Sequence, residues 1–111
     1  MLVFLDISNS NVNKLSDDLY NLKFLNASNT NIHSIPSTYT ELISLNIINT
    51  KVDKIPNNLF KLKNLYCDYL PNNKYLNSTY KQLSYSLPIK MNFIKNIPKT
   101  LLNLKKLMIM D

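Results

Sequence analysis

The sequence predicts a β-rich repeat solenoid, in which short parallel strands stack side by side and narrow return segments connect them. The first observation is that the stretch 42–56, LISLNIINTKVDKIP, repeats the apolar positions of the stretch 22–36 at a distance of twenty residues. The second is a column that is leucine in every unit, at Leu5, Leu25, Leu45, Leu65, Leu87 and Leu107. The third is an isoleucine-proline step at Ile35-Pro36, Ile55-Pro56 and Ile97-Pro98. A fixed period of this length is typical of proteins built from stacked repeats.

Each unit begins with a strand, because its pattern LxxLxI alternates apolar with polar residues and so turns the leucine and isoleucine to one side. Units begin near residues 2, 22, 42, 62, 84 and 104 and form a single repeat domain over residues 1–111. The step from the fourth to the fifth unit is longer than the others, which predicts an insertion between residues 68 and 83. One coil cannot bury its apolar stripe alone, so stacked coils are expected to share a continuous core.

The end of each strand is predicted to turn on asparagine. Asparagines recur there, at Asn9, Asn11, Asn29, Asn31 and Asn49. The chain contains no glycine, and asparagine is the next best residue for left-handed backbone. The return path is predicted to be extended or 3₁₀, because a proline restricts the residue before it to extended conformations and lacks an amide donor. Twenty residues also leave too little chain for an ordinary helix.

The composition favours a small intracellular protein. The 111 residues are 45% hydrophobic and include one cysteine, which cannot form an internal disulfide. The first residues lack the pattern of a signal peptide, and no window approaches the roughly 20 apolar residues of a membrane-spanning helix. We therefore expect a soluble, cytoplasmic protein. The net charge of +6 comes from lysine alone, and the absence of arginine disfavours nucleic acid as a partner.

No residue pattern indicates an enzyme, a cofactor or a metal site. Cys67 occupies an inward strand position and His33 lies just after the inward Ile32, and neither has companion residues for catalysis or metal binding. We expect a buried thiol and a surface imidazole. A glycine-rich phosphate loop cannot exist in a chain without glycine. The prediction is thus a non-enzymatic protein that needs no cofactor.

The pattern LxxLxIxxTxIxxIPxxL resembles the leucine-rich repeat, in the short, helix-poor class of twenty residues that occurs in some bacterial effector and large DNA virus proteins. The resemblance implies an α/β-type leucine-rich-repeat solenoid, a right-handed superhelix with one curved parallel β-sheet of about six short strands. Its concave side would carry the strands and bind other proteins, and its convex side would be extended or 3₁₀. It also implies a viral or effector protein that is directed at a protein of the host cell.

The family usually has an asparagine after the strand, and its side chain bridges backbone groups of neighbouring coils. Here the matching residues are Ser10, Thr30, Thr50 and Asn92, whose hydroxyl or amide groups are expected to bridge in the same way, while Leu70 does not match. The resemblance thus implies a ladder of polar side chains that is interrupted at Leu70.

The residues between the inward leucines are predicted to face solvent, in rows about 4.8 Å apart across neighbouring strands. The rows comprise Phe4, Phe24, Ser44, Asn64, Ser86 and Lys106; then Asp6, Asn26, Asn46, Tyr66, Pro88 and Met108; then Ser8, Ser28, Ile48, Asp68, Lys90 and Met110. Exposed aromatic residues beside hydrogen-bonding groups are typical anchors of protein interfaces. We therefore predict a partner-binding site that comprises Phe4, Asp6, Phe24, Asn26, Asn46, Ile48, Tyr66, Asp68 and Tyr69. The alternatives are ordinary variable surface, or a contact between Phe4 and Phe24 that only stabilises the sheet.

Three features leave alternatives open. The tyrosines of segment 66–85 form either a binding loop or aromatic filler of the core; they are Tyr66, Tyr69, Tyr75, Tyr80 and Tyr85. Lys23, Lys63 and Lys105, with Lys61 and Lys106 nearby, form either a solvated edge or a basic row. The first and last units have no polar cap, which predicts either self-association through the ends or a piece of a longer array.

The function predicted from the sequence is a protein-protein interaction scaffold that binds a partner protein through its concave strand face. The alternative is lysine-mediated binding of nucleic acid or anionic lipid. Salt distinguishes the two, because binding through phosphate contacts weakens steeply with ionic strength and an aromatic-anchored protein contact weakens much less.

Overall fold

The computed structural model describes residues 1–68 and 103–110, which form a strand-rich domain around one parallel β-sheet. Five short strands build the sheet: β1 (Phe4–Asp6), β2 (Phe24–Asn26), β3 (Ser44–Asn46), β4 (Asn64–Asp68) and β5 (Lys106–Met110). They lie in the order in which they occur in the chain. The predicted arrangement of short parallel strands is confirmed.

The leucine column predicted from the sequence agrees with the pairing of the strands. Leu5 lies opposite Leu25, which is followed across the sheet by Leu45 and Leu65. The first four strands are therefore offset from one another by one repeat of twenty residues, without a slip. Because side chains alternate along a strand, a slip of one residue would move these leucines to the opposite side of the sheet.

The order of the strands differs from the sequence prediction at one end of the sheet. The prediction of about six strands placed Ser86 of the fifth unit between Asn64 and Lys106. In the structure β4 pairs directly with β5, and Asn64 lies opposite Lys106, so this neighbour order is wrong. The sequence offers a physical reason, because the fifth unit contains Pro88 and a proline has no amide hydrogen for the ladder of a central strand. The strand predicted around Leu87 and the insertion between residues 68 and 83 lie outside the described residues.

The core lies on the inner side of the sheet and is lined by the predicted inward residues. Leu25, Leu45 and Leu65 are buried, and the return segments add a second apolar layer. The members of that layer are Ile32, Ile35, Tyr39, Val52, Ile55 and Leu59. Each fully buried leucine or isoleucine contributes about 1.5–3 kcal/mol through the area that it removes from water. The first unit is less enclosed, and four of its apolar residues pack only partly buried against the same core: Leu5, Ile7, Val12 and Leu19.

The turns that follow the first three strands depend on asparagine. Asn9, Asn29 and Asn49 have φ values of 59°, 57° and 55°. This is the left-handed region, in which most residues other than glycine are disfavoured and asparagine is tolerated. The left-handed backbone predicted for asparagine is thus confirmed at these three positions.

The return segments within residues 1–68 contain no helix, as the sequence predicts. Single turns with the 3₁₀ type of hydrogen bond occur instead: the N–H of Tyr39 donates to the carbonyl oxygen of Pro36 at 3.2 Å, and the N–H of Leu62 donates to that of Leu59 at 3.2 Å. Side chains also join neighbouring return segments. The side-chain amide of Asn58 donates to the carbonyl oxygen of Ser37, in the preceding unit, at 2.7 Å. In the described ranges, no helix has the length and apolarity that a membrane crossing requires.

Candidate functional site

The outward side of the sheet carries most of the side chains predicted to contact a partner. We define the strand face as the outward residues of the five strands whose side chains the structure describes: Phe4, Asp6, Phe24, Asn26, Ser44, Asn46, Asn64, Tyr66, Asp68 and Lys106. The strand pairing confirms the predicted order of the first two rows over β1 to β4. One row is Phe4, Phe24, Ser44 and Asn64, and the other is Asp6, Asn26, Asn46 and Tyr66. Ile48 follows β3 and is half-buried. The strand face is therefore one continuous surface across the sheet.

Phe4 and Phe24 form an apolar patch at the β1 side of the strand face. Their ring centroids lie 6.2 Å apart with an interplanar angle of 37°, so the two rings pack against each other across neighbouring strands. The side chains remain 64% and 39% exposed. The contact stabilises the sheet, as one of the alternatives expected, and it still leaves apolar surface available to a partner.

Three polar residues of the strand face end their strands through their own side chains. Oδ1 of Asp6 accepts hydrogen bonds from the backbone N–H of Ser8 at 2.9 Å and from its hydroxyl at 2.6 Å. Oδ1 of Asn26 likewise accepts hydrogen bonds from the backbone N–H and the hydroxyl of Ser28. Oδ1 of Asn46 accepts one from the backbone N–H of Ile48 at 3.1 Å. The hydroxyl and then the N–H of Ser8 lower the pKa of Asp6. These three side chains are therefore fixed in position, and the Oδ1 atom of each already accepts a hydrogen bond from its own chain.

The opposite side of the strand face combines an aromatic ring with charges. The ammonium group of Lys106 lies 5.3 Å from the ring centroid of Tyr66, within the range of a cation–π interaction of about 0.5–1 kcal/mol at an exposed site. Oδ2 of Asp68 accepts the backbone N–H of Asn49 at 2.8 Å. Burial raises the pKa of Asp68, and the hydrogen bond from Asn49 opposes that shift. Tyr69, the remaining predicted contact, lies outside the described residues.

The hydroxyl groups beyond the strands do not bridge neighbouring units, which corrects the expectation taken from the leucine-rich repeat. Ser10, Thr30 and Thr50 each donate to the backbone carbonyl oxygen three residues earlier in the same unit, at 2.6, 2.7 and 2.8 Å. The physical reason is that serine and threonine side chains are short, so that the hydroxyl group bonds to a nearby backbone carbonyl group of its own unit. Asn92 and Leu70 lie outside the described residues.

The bridge between units is formed one position earlier, by asparagine side chains. Nδ2 of Asn29 donates to Oδ1 of Asn9 at 2.8 Å, and Nδ2 of Asn49 donates to Oδ1 of Asn29 at 2.8 Å. The ladder was not predicted from the sequence, which placed these residues in turns, although their spacing of twenty residues was the available signal. The ladder lines a polar groove of about 440 Å³. Because its amides already bond to one another, we assign it to the stability of the turns.

Replacing Asn29 by alanine is expected to reduce the free energy of unfolding by about 1–3 kcal/mol. Alanine would have to adopt left-handed backbone at a cost of about 1–2 kcal/mol, and both ladder hydrogen bonds would be lost. Urea denaturation followed by circular dichroism measures the change. Asn29→Gly is the matched control, because glycine tolerates positive φ but removes the same two bonds. It should lose less stability than Asn29→Ala, and equal losses would contradict the role of the backbone angle.

The residues considered for catalysis or metal binding do not belong to the strand face. Cys67 is fully buried on the inner side of β4, as the sequence predicts. Burial, followed by the charge of Asp68, raises the pKa of its thiol. His33 is exposed, also as predicted. Within residues 1–68 and 103–110, no three His, Cys, Asp or Glu side chains are grouped to hold a metal ion.

Exposed lysines lie where the strands begin, at one edge of the strand face and directly before it. Lys23, Lys63 and Lys105 directly precede β2, β4 and β5, and Lys106 is the first residue of β5. All four are exposed, and none has a salt bridge to another described residue. Lys61 differs, because its ammonium group lies 2.9 Å from the carboxylate of Glu41. These lysines therefore form an edge of exposed charges without a carboxylate partner among the described residues, which both the solvated edge and the basic row allow.

Two exposed aromatic residues outside the strands were not predicted. Tyr20 and Phe60 lie in turns and are 59% and 52% exposed. They share one position in the repeat, and that shared position was the signal in the sequence. They provide control positions, because they are exposed aromatic residues that lie outside the strands.

No protein-family model, curated protein or solved structure matches this chain. The function therefore has to be inferred from the strand face and the residues around it.

Proposed function

We propose that the chain is a leucine-rich-repeat solenoid of the short, helix-poor class, a right-handed superhelix whose strand face is concave. Two observations support the proposal. The leucine column pairs in register at intervals of twenty residues, and the return segments within residues 1–68 contain no helix. Stacked units of this kind bury a continuous core and align their outward residues into one surface.

This surface binds another protein, and the role is not enzymatic. The observation that carries the proposal is the exposure of the apolar patch beside hydrogen-bonding groups that are fixed in position. Asp6 and Asn26 lie two residues further along the same two strands. An apolar centre with a polar surround is the composition of protein interfaces. The burial of Cys67 supports a non-enzymatic role, because an inaccessible thiol cannot attack a substrate. The resemblance to repeats of bacterial effectors and large DNA viruses supports a partner in the cytoplasm of a host cell.

The test is a pull-down from lysates of candidate host cells that compares the native chain with Phe24→Ala/Tyr66→Ala. The two residues lie towards opposite sides of the strand face, so a partner that lies across the sheet contacts both. We expect the double variant to lose about tenfold or more of the captured partner, because interface aromatic residues commonly contribute about 2 kcal/mol. Quantitative mass spectrometry measures the captured proteins.

The matched control is Tyr20→Ala/Phe60→Ala, which removes two exposed rings outside the strands. This variant should capture the same partner as the native chain does. Circular dichroism establishes that both variants are folded. If Phe24→Ala/Tyr66→Ala captures the partner as well as the native chain, binding through the strand face is contradicted.

A second candidate function is lysine-mediated binding of nucleic acid or anionic lipid. The exposed lysines that precede β2, β4 and β5 favour it, because each can contact a phosphate group. The absence of arginine and the carboxylates of Asp6 and Asp68 on the same face count against it. Binding of this kind should weaken by orders of magnitude between low and physiological salt.

A further inference from the structure

The exposed lysines lie along one margin of the strand face, because parallel strands all begin at the same edge of the sheet. We define the lysine margin as Lys23, Lys63, Lys105 and Lys106. Three of these residues are held together by the backbone: the N–H groups of Lys105 and Lys106 both donate to the carbonyl oxygen of Lys63, each at 2.8 Å. Like charges on neighbouring strands destabilise a sheet. Within the part of the chain that the structure describes, no carboxylate forms a salt bridge with this cluster.

The apolar patch and most of the lysine margin lie at opposite sides of the strand face. The patch covers β1 and β2, while Lys63, Lys105 and Lys106 belong to the β4 and β5 side. Three strand intervals separate the centres of the two groups, which is about 14 Å at ~4.8 Å per interval. An extended polypeptide covers that distance in about four residues, at roughly 3.3 Å per residue.

We propose that the strand face binds an acidic segment of a partner protein, with an apolar side chain on the apolar patch and carboxylates about four residues away on the lysine margin. This inference rests on the proposed protein-binding function and specifies the chemistry of the partner. The uncharged Ser44 and Asn64 lie between the two groups and offer hydrogen bonds to the backbone of the segment. The partner's carboxylates supply the negative charge that the lysine margin lacks.

A protein segment fits this surface better than a nucleic acid does. Phe4 and Phe24 pack on each other at 6.2 Å, so they offer one apolar patch rather than separate platforms for successive bases. The carboxylate of Asp6 lies on the same strand as Phe4 and would repel a nearby phosphate. Lysine also lacks the forked geometry with which arginine binds phosphate. An acidic segment, in contrast, carries its negative charge only at the lysine margin, which lies where β4 begins, whereas Asp68 lies where β4 ends.

The test uses a synthetic peptide with two leucines, a spacer of serines about four residues long and three glutamates, labelled with a neutral fluorophore. Fluorescence anisotropy measures its binding to the full chain. We expect saturable binding that weakens about tenfold when glutamine replaces the glutamates, because charge pairs at the rim of an interface contribute modestly. Raising the ionic strength from about 50 mM to about 300 mM should weaken the binding of the glutamate peptide and not of the glutamine peptide.

Lys63→Glu/Lys106→Glu should weaken the binding of the glutamate peptide about tenfold or more. The same variant should gain binding of a peptide in which lysines replace the glutamates. The matched control, Lys51→Glu/Lys54→Glu, makes the same change in net charge at exposed lysines outside the strands. It should bind the glutamate peptide within about twofold of the native chain, since screening removes most of the effect of distant charges.

Equal binding of the glutamate and glutamine peptides, or equal losses in the two lysine variants, would overturn the proposal. Tighter binding of a single-stranded oligonucleotide or of phosphatidylserine vesicles than of the glutamate peptide, at physiological salt, would also overturn it. If the partner captured in the pull-down depends on Phe24 and Tyr66 but not on Lys63 and Lys106, the protein-binding function stands and the acidic partner is wrong. If capture depends on none of these residues, both proposals are contradicted.

Discussion

Leu45→Ala is expected to reduce the free energy of unfolding by about 3–4 kcal/mol. Leu45 is fully buried in the central strand β3, between Leu25 on one side and Leu65 on the other. Alanine would leave a cavity that the neighbouring strands cannot close, because hydrogen bonds fix their positions. The loss is a large share of the about 5–15 kcal/mol that stabilises an ordinary domain. Urea denaturation followed by circular dichroism measures it.

The matched control is Leu5→Ala, which changes the same column at a position that is only partly buried. A loss of about 1 kcal/mol is expected there, because the side chain removes less area from water and leaves no enclosed cavity. Similar losses at Leu5 and Leu45 would contradict the enclosure of the leucine column in a shared core.

The second large effect is expected at alkaline pH. Tyr39 is fully buried, and its hydroxyl donates to the carbonyl oxygen of Ser16 at 2.7 Å. Burial, with a smaller contribution from the charge of Asp17, raises the pKa of Tyr39 from 10.0 to about 12. The fold therefore favours the protonated phenol. Its contribution to stability is present below a pH of about 10 and is lost as the pH rises towards about 12. The total loss is about 1–2 kcal/mol, because the hydroxyl is only part-buried and solvent screens its charge.

Tyr39→Phe should remove this dependence on pH. At neutral pH the substitution should cost about 1 kcal/mol, because the hydrogen bond to the carbonyl oxygen of Ser16 is lost. Between pH about 10 and about 12, however, the free energy of unfolding of the Tyr39→Phe variant should fall less than that of the native chain. Tyr20→Phe, at an exposed position, should retain the native loss. Urea denaturation at a series of pH values measures the curves, and parallel curves for the native chain and Tyr39→Phe would contradict the assignment.

The strands of the first four units could be predicted because their signal is periodic. One interval of twenty residues separates Leu5, Leu25, Leu45 and Leu65. Because the turns and return segments repeat at the same interval, it specifies which strands are neighbours and in what register they pair. The absence of a helix from residues 1–68 followed from the short interval and from the isoleucine-proline steps. The left-handed asparagines followed from the lack of glycine, because few other residues tolerate that backbone.

The pairing of β4 with β5 could not be predicted from the same pattern. The fifth unit has the leucine and isoleucine of a strand, and a periodic pattern gives no weight to the hydrogen-bond donor that Pro88 lacks. The ladder was missed for a related reason. A repeat pattern shows that Asn9, Asn29 and Asn49 are equivalent, but the direction of each amide depends on the backbone angle and on the neighbouring unit.

The composition of the strand face was predictable, while the state of each side chain was not. Alternation along the strands put Phe4, Phe24 and Tyr66 on the outward side. It could not show that Phe4 and Phe24 contact each other, or that the oxygens of Asp6 and Asn26 are used to end their strands. These contacts depend on distances of a few ångströms between units, which a sequence period does not specify.

Neighbouring strands of the first four units pair at an offset of one whole repeat. A unit could therefore be added or removed without turning the inward apolar residues to the outward side of the sheet. If the codons of one unit were deleted, Leu5 would meet Leu45 across the new junction, and every apolar residue would keep its inward direction. Loss of an odd number of residues within a strand would reverse that direction for the rest of the strand. Duplication or deletion of twenty codons can therefore widen or narrow the surface offered to a partner while the remaining units keep their packing.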